Sequence, residues 1–274
     1  MRTIAISNQK GGVGKTTIAI NLASALARGL GQAATANYGP GQPRPRVLLV
    51  DADPQANASA VFLGAKFTLG PWEDVNTTYE VIIHDAPINS AIRTVELLAN
   101  GVFPAGTLDL LPSHIRLARA EIELIGLLRR EDRLASALKA VNGRYDFIII
   151  DCPPSLGMLT LNGLMAAAEV IIPVEPGYFP LIGLGLLRDT INDVAKINRV
   201  DVLGIVPTMI NRTIEARETT EALRHMFGDK ILPAIPSRVS IRNAHAAQTD
   251  IFGYDSSDAA EAFAQLTKEV VARG

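Results

Sequence analysis

Short apolar runs punctuate the chain at Ile4 to Ile6, Val47 to Val50, Leu108 to Leu111, Phe147 to Ile150, Val170 to Val174 and Val202 to Val206. They are nearly continuous rather than alternating, the pattern of strands covered on both faces. Stretches of helical spacing lie between most of them. The prediction is an α/β fold, a mostly parallel, doubly covered sheet with helices on both faces. After the first run, Ile18, Leu22 and Leu26 with Ala19 and Ala23 keep one face apolar, which predicts a helix from about Lys15 to Arg28. Ala260, Phe263, Ala264, Leu266, Thr267 and Val270 predict a closing helix over Ser257 to Ala272, packed on the sheet. Residues 64 to 107 are weakly patterned, and DAPINSAIRTVELLA at 85–99 predicts a helix starting near Asn89 or Ser90. Residues 29 to 46 hold glycines and three prolines with no periodic apolar face, and are expected to form a mobile surface loop. With no internal repeat and no linker, residues 1–274 are expected to form one domain.

Composition narrows the function classes. The chain is 48% hydrophobic and 20% charged, enough apolar material for a core. A formal charge of -2 excludes a nucleic-acid binder by bulk charge, so any such binding must use a local patch. One cysteine, Cys152, excludes an intrachain disulfide framework and fits a reducing, cytoplasmic compartment. No apolar stretch reaches the roughly eighteen residues of a membrane span.

The chemistry starts at Lys10-Gly11-Gly12-Val13-Gly14-Lys15-Thr16-Thr17, between the first strand and the first helix. Glycines there let consecutive backbone N–H groups converge on phosphate oxygens, and the helix N-terminus adds its dipole. Lys15 would bridge the β and γ phosphates of ATP, and the Thr16 hydroxyl would ligate Mg²⁺. The ordinary phosphate loop has a glycine where Gln9 stands, and here an extra lysine, Lys10, opens the loop. Two further apolar runs end in carboxylates, VLLVDADPQ at 47–55 and IIIDCPPS at 148–155. An Asp after a strand also serves as a helix cap or turn former. With a phosphate loop on the same chain, Asp151 suits the Mg²⁺ shell through water and Asp53 suits orientation of the attacking water. Cys152 is expected to be a buried small side chain.

KGGVGKTT at 10–17, DADPQ at 51–55, FIIIDCPPS at 147–155 and IIPVEP at 171–176 resemble the deviant Walker A ATPases of the ParA/MinD type. LDLLPSHIRLARAEIEL at 108–124 and AIPSRVSIRNA at 234–244 are more narrowly similar to ParA, so the likeness covers nearly the whole chain. The resemblance implies a P-loop ATPase that forms an ATP homodimer, with Lys10 reaching the partner's phosphates. It also implies Asp53 at the position associated with hydrolysis, Asp151 as the Walker B acid, and Pro236 and Arg238 beside the adenine. Gly177 and Ser237 stand where relatives often have glutamate and arginine. The chain begins at the first strand, so the N-terminal helix-turn-helix domain of larger partition ATPases is not expected.

By the same resemblance the partners are nonspecific double-stranded DNA and a ParB-like or other cargo adaptor, and the location is cytoplasmic and nucleoid-associated. Residues 206 to 249 carry six basic side chains against four acidic ones, and Arg212, Arg217, Arg238 and Arg242 are the candidate DNA contacts. A MinD-like membrane-cycling ATPase is the alternative. It needs a basic amphipathic C-terminal helix, whereas Lys268 and Arg273 are offset by Glu261 and Glu269. An iron–sulfur carrier on this fold would need further cysteines, and a metabolic ligase or kinase on it would share the phosphate loop alone.

Overall fold

The computed structural model describes residues 1–31, 44–71, 75–175, 192, 200–211 and 214–274, with the backbone alone at 214–217, 219 and 222. Most of the 29–46 loop, together with Pro176, Gly177 and Arg212, lies outside the described residues.

Strands β1 (Arg2–Ile6), β2 (Val47–Asp51), β3 (Arg93–Leu97), β4 (Gly106–Leu111), β5 (Phe147–Asp151), β6 (Glu169–Val174) and β7 (Asp201–Pro207) form one sheet in the order β3-β4-β2-β5-β1-β6-β7. All neighbours are parallel except β3, which runs antiparallel to β4 at the edge. Between and beyond the strands lie α1 (Lys15–Ala27), α2 (Asn57–Leu63), α3 (Ala65–Leu69), α4 (Thr78–Ile83), α5 (Ile88–Ala91), α6 (Ala120–Glu123), α7 (Arg133–Leu138) and α8 (Met158–Ala166). The C-terminal part adds α9 (Ile214–Phe227), α10 (Val239–Ala246), α11 (Ile251–Tyr254) and α12 (Asp258–Ala272).

The apolar runs are continuous because each strand feeds two cores. Ile4, Ile6, Leu49, Ile149 and Ile171 face α1, α11 and α12, while Ala5, Leu48, Val50, Ile148 and Ile150 face α4, α7 and α8. Helix α12 lies against α1, with Phe263, Leu266 and Val270 fully buried. Each such side chain contributes about 1.5–3 kcal/mol of transfer free energy. Among the described residues no helix is long and apolar enough to cross a membrane.

The helix expected from Asn89 or Ser90 is corrected. Only Ile88–Ala91 is helical, and the chain then enters β3. Along RTVEL the exposed Thr94 and Glu96 alternate with buried Val95 and Leu97, a period of two that an edge strand satisfies and a helix cannot. The unpredicted α4 carries its own start signal. Thr77 accepts from Tyr79 N, and Glu80 reaches back to Thr77 N at 2.9 Å, a capping box.

Candidate functional site

In register, Ile6 lies beside Asp151 and Asp151 beside Asp51, so three neighbouring strands end on one line. The phosphate loop leaves β1 at that line and turns into α1. Gly12 (φ 76°) and Gly14 (φ 87°) occupy the left-handed region, where a Cβ is strained, and Gly14 is the N-cap of α1. The loop is held from below and from both sides. Val13 is buried, and its carbonyl accepts from Thr208 Oγ1 at 2.9 Å. Asn8 donates to the Pro173 carbonyl at 2.6 Å and accepts from Lys10 N at 3.0 Å.

The two lysines of the loop behave differently. Lys15 is buried, 6% exposed, and its ammonium donates to the Lys10 carbonyl at 2.8 Å. Lys10 extends its ammonium along the rim, half-exposed, in an ion pair with Glu175 Oε2 at 2.7 Å. Burial lowers the Lys15 pKa, opposed by the charges of Asp151 and Asp53.

Asp51, Asp53 and Asp151 gather on the α1 side of the line. Burial pushes Asp51 up to about 7, against the hydrogen bonds that Ser59 donates to it. Burial and then the neighbouring Asp51 push Asp151 well above the usual carboxylate range, with the Thr16 hydroxyl near enough to oppose the shift. Asp53 is raised by burial, opposed by the Gln55 N–H and by Lys15. Both oxygens of Asp151 are buried without a hydrogen bond of normal geometry among the described residues. A buried carboxylate in that condition suits a cation. No group of three or more His, Cys, Asp or Glu that could hold a metal occurs among the described residues. The Thr16 hydroxyl beside the Asp151 carboxylate supplies hard oxygen donors of the kind that suit Mg²⁺, an ion that keeps several waters and completes its shell with phosphate oxygens. Cys152 is fully buried and its thiol is pushed up by burial and by Asp151, so it offers no nucleophile.

The segment carrying Pro236 and Arg238 reaches the same edge. Ile235 N donates to Pro207 O at 2.8 Å, and Pro236 bridges Ile210, close to Thr208 under the loop. Arg238 is paired with Asp258, donating from Nε to both carboxylate oxygens at 3.0 Å. Of the other candidate DNA contacts, Arg242 is exposed on α10 and has no ion pair among the described residues. Arg217 lies on α9, described by backbone alone.

Sequence reasoning missed Glu175, Ser59, Ser113 and Thr208. Glu175 and Ser113 lie inside the family-like segments 171–176 and 108–124, whereas Ser59 and Thr208 stand in no such segment, and the partners of all four are set by how the chain folds. Asp51 did have a local signal, because two Asp residues at i and i+2 after a strand start on the same face.

A family model described as AAA domain matches residues 1–202. The chain is 40% identical to the sporulation initiation inhibitor protein Soj of Bacillus subtilis, covering 100% of this chain and 99% of that one. It is 39% identical to the chromosome partitioning protein ParA of Caulobacter vibrioides, covering 100% and 95%. Among solved structures, it is similar to a Mycobacterium smegmatis chain described as cobyrinic acid a,c-diamide synthase with bound ADP and magnesium. That pair has a TM-score of 0.72 and 33% identity, covering 97% of this chain and 92% of the other. Full-length similarity and a lysine-opened phosphate loop agree, and the chain belongs to the ParA/MinD-type deviant Walker A ATPases, on the ParA side.

Proposed function

We propose that residues 1–274 work as one domain, an ATP-dependent dimerising switch that binds DNA without sequence preference and segregates or positions a cargo. A ParB-like or other adaptor on that cargo would stimulate hydrolysis, and the protein would act in the cytoplasm on the nucleoid. The observation that carries the reading is the division of labour between the lysines: Lys15 turns into its own loop, while Lys10 keeps its ammonium at the exposed rim. By exchanging Glu175 for phosphates bound by a second copy, that ammonium would stabilise the charge that grows during transfer.

In this reading the backbone of Gly11, Gly12, Val13 and Gly14, with Lys15, Thr16 and Thr17, binds the phosphates. Pro236 and Arg238 border the base. Thr16 and, through water, Asp151 would hold Mg²⁺, which neutralises phosphate charge when bound. Asp53 orients water for attack. The full-length likeness to Soj and ParA supports the partition role. A membrane-cycling role is disfavoured because the apolar face of α12 is already spent on α1.

The test is Lys10→Ala. It should bind nucleotide with wild-type affinity yet remain monomeric with ATP by light scattering. Dimerisation at the wild-type level would overturn the trans role. The likeness to the chain described as a diamide synthase favours a second reading, ATP-dependent amide formation. ATP turnover that responds to a carboxylic acid substrate, and not to DNA or an adaptor, would favour it.

A further inference from the structure

Asp53 sits on the 52–56 connection between β2 and α2, yet its backbone is held at both ends. Its N–H donates to Asp51 Oδ1 at 3.2 Å, and its carbonyl accepts from Ser113 Oγ at 2.7 Å. Asp51 Oδ2 in turn accepts from both the N–H of Ser59 at 2.8 Å and its hydroxyl at 2.7 Å. Ser113 closes the ring, because its own N–H donates to Ser59 Oγ at 2.8 Å. Asp51, Ser59 and Ser113 are all fully buried, and Thr78 Oγ1 donates to the Asp51 carbonyl at 2.8 Å.

The backbone N–H groups of Asp53, Ser59 and Ser113 can only donate. A hydroxyl has one proton, and Ser59 gives its proton to Asp51 while receiving the Ser113 N–H. The end of β2, the first turn of α2 and, some way further along the chain, the exit of β4 are thus tied into one ring, which meets the peptide groups of Asp53 through Asp51 and Ser113. Buried polar networks in which every member is satisfied rigidify the part of the fold they enclose. Here the enclosed part is the residue that the proposed function uses to orient water.

We propose that Ser113 and Ser59, acting through Asp51, are positioning residues for Asp53: they set where its carboxylate stands and have no part in holding nucleotide. The inference rests on the role proposed for Asp53 and extends it to side chains 8 and 60 residues from their partners. The P-loop residues that hold phosphate lie outside this ring, so affinity and turnover separate. A displacement of about 1 Å at a positioned group costs about a hundredfold in rate.

The experiment is single-turnover ATP hydrolysis, measured on the full chain with adaptor-free protein and normalised to bound nucleotide. Ser113→Ala should keep ATP affinity within about twofold and lose about 10- to 100-fold in turnover, and Ser113→Thr, which keeps the hydroxyl, should regain most of it. If Ser113→Ala does not fold, Ser59→Ala replaces it, because it removes the acceptor of the Ser113 N–H and one donor to Asp51. A parallel fall in affinity and turnover, or a lowered melting temperature with normal turnover per bound site, would assign the ring to stability alone and overturn the proposal. Asp53→Ala is run alongside. If it hydrolyses normally, the role of Asp53 itself fails. If it is slow while Ser113→Ala turns over like wild type, only the positioning inference fails.

Discussion

Arg28, at the C-cap of α1, should be among the costliest single positions in the chain. Its guanidinium donates to both oxygens of Asp250 at 3.0 and 2.8 Å, to the Leu98 carbonyl at 3.0 Å, and to the Pro104 carbonyl. The pair is closed to water, with side chains 0% and 1% exposed. Asp250 also caps α11, accepting from Phe252 N and Gly253 N. Arg28→Ala would leave the carboxylate with those two N–H groups alone, strand two carbonyls and open a void beside Phe252, which lies 6.0 Å from the guanidinium. Breaking a buried pair from one side costs about 3–5 kcal/mol. For 274 residues the unfolding entropy is about 0.6 kcal/mol per kelvin, so the melting temperature should fall by about 5–9 °C. The assay is chemical and thermal denaturation of Arg28→Ala, Asp250→Ala and the double variant. The double variant should be less damaging than the sum of the singles, because neither charge is then left alone. Nucleotide affinity of the folded fraction should stay within about twofold, since the loop lies at the other end of α1. A loss below about 1 kcal/mol, or strict additivity, would refute the reasoning.

Other outcomes follow from the site and its surroundings. Lys15→Ala should lower ATP affinity by about a thousandfold in titration calorimetry, because a unit charge about 4 Å from phosphate contributes about 4 kcal/mol at an effective dielectric of 20; wild-type affinity would contradict the role. DNA binding should require ATP, ignore sequence and weaken steeply with salt, and Arg242→Glu should shallow the logarithmic salt slope by about two per dimer. Duplex binding equally tight with ADP, or unaffected by salt, would count against it. Burial holds the pKa of His245 below its ordinary value, and its Nε2 is buried without a hydrogen-bond partner among the described residues. The unfolded chain therefore protonates first as pH falls below about 6.5, and the stability present above that pH is lost toward the lower folded value. His245→Gln should flatten the decline in melting temperature between pH 7 and 5.5; an unchanged decline would exclude His245 as its source.

Much of the site was legible because its signals are local. Lys10 to Thr17 announce themselves by glycines at the positions where the backbone needs a positive φ, and by a helix that starts at Lys15. Asp51 and Asp151 end apolar runs, and parallel register alone then sets them side by side. RTVEL is too short for its alternation to stand out after INSA, a real helical turn with Ile88 and Ala91 buried, so the stretch reads as helix throughout, and the capping box at Thr77 and Glu80 lies in the same weakly patterned region.

The chain alone determined the α/β class, the phosphate loop, the two carboxylate-bearing strand ends and the family, since each rests on residue types at short, fixed spacing. Only the tertiary structure decided which side chains hold them. Lys10 meets Glu175 across 165 residues, and Arg28 meets Asp250 across 222. Ser113 reaches Asp53 across 60. Arg238 is paired with Asp258 rather than left open. The physical reason is that a hydrogen bond or ion pair depends on a few ångströms of separation and on burial, and for residues far apart in sequence both are set by how strands and helices are ordered in space.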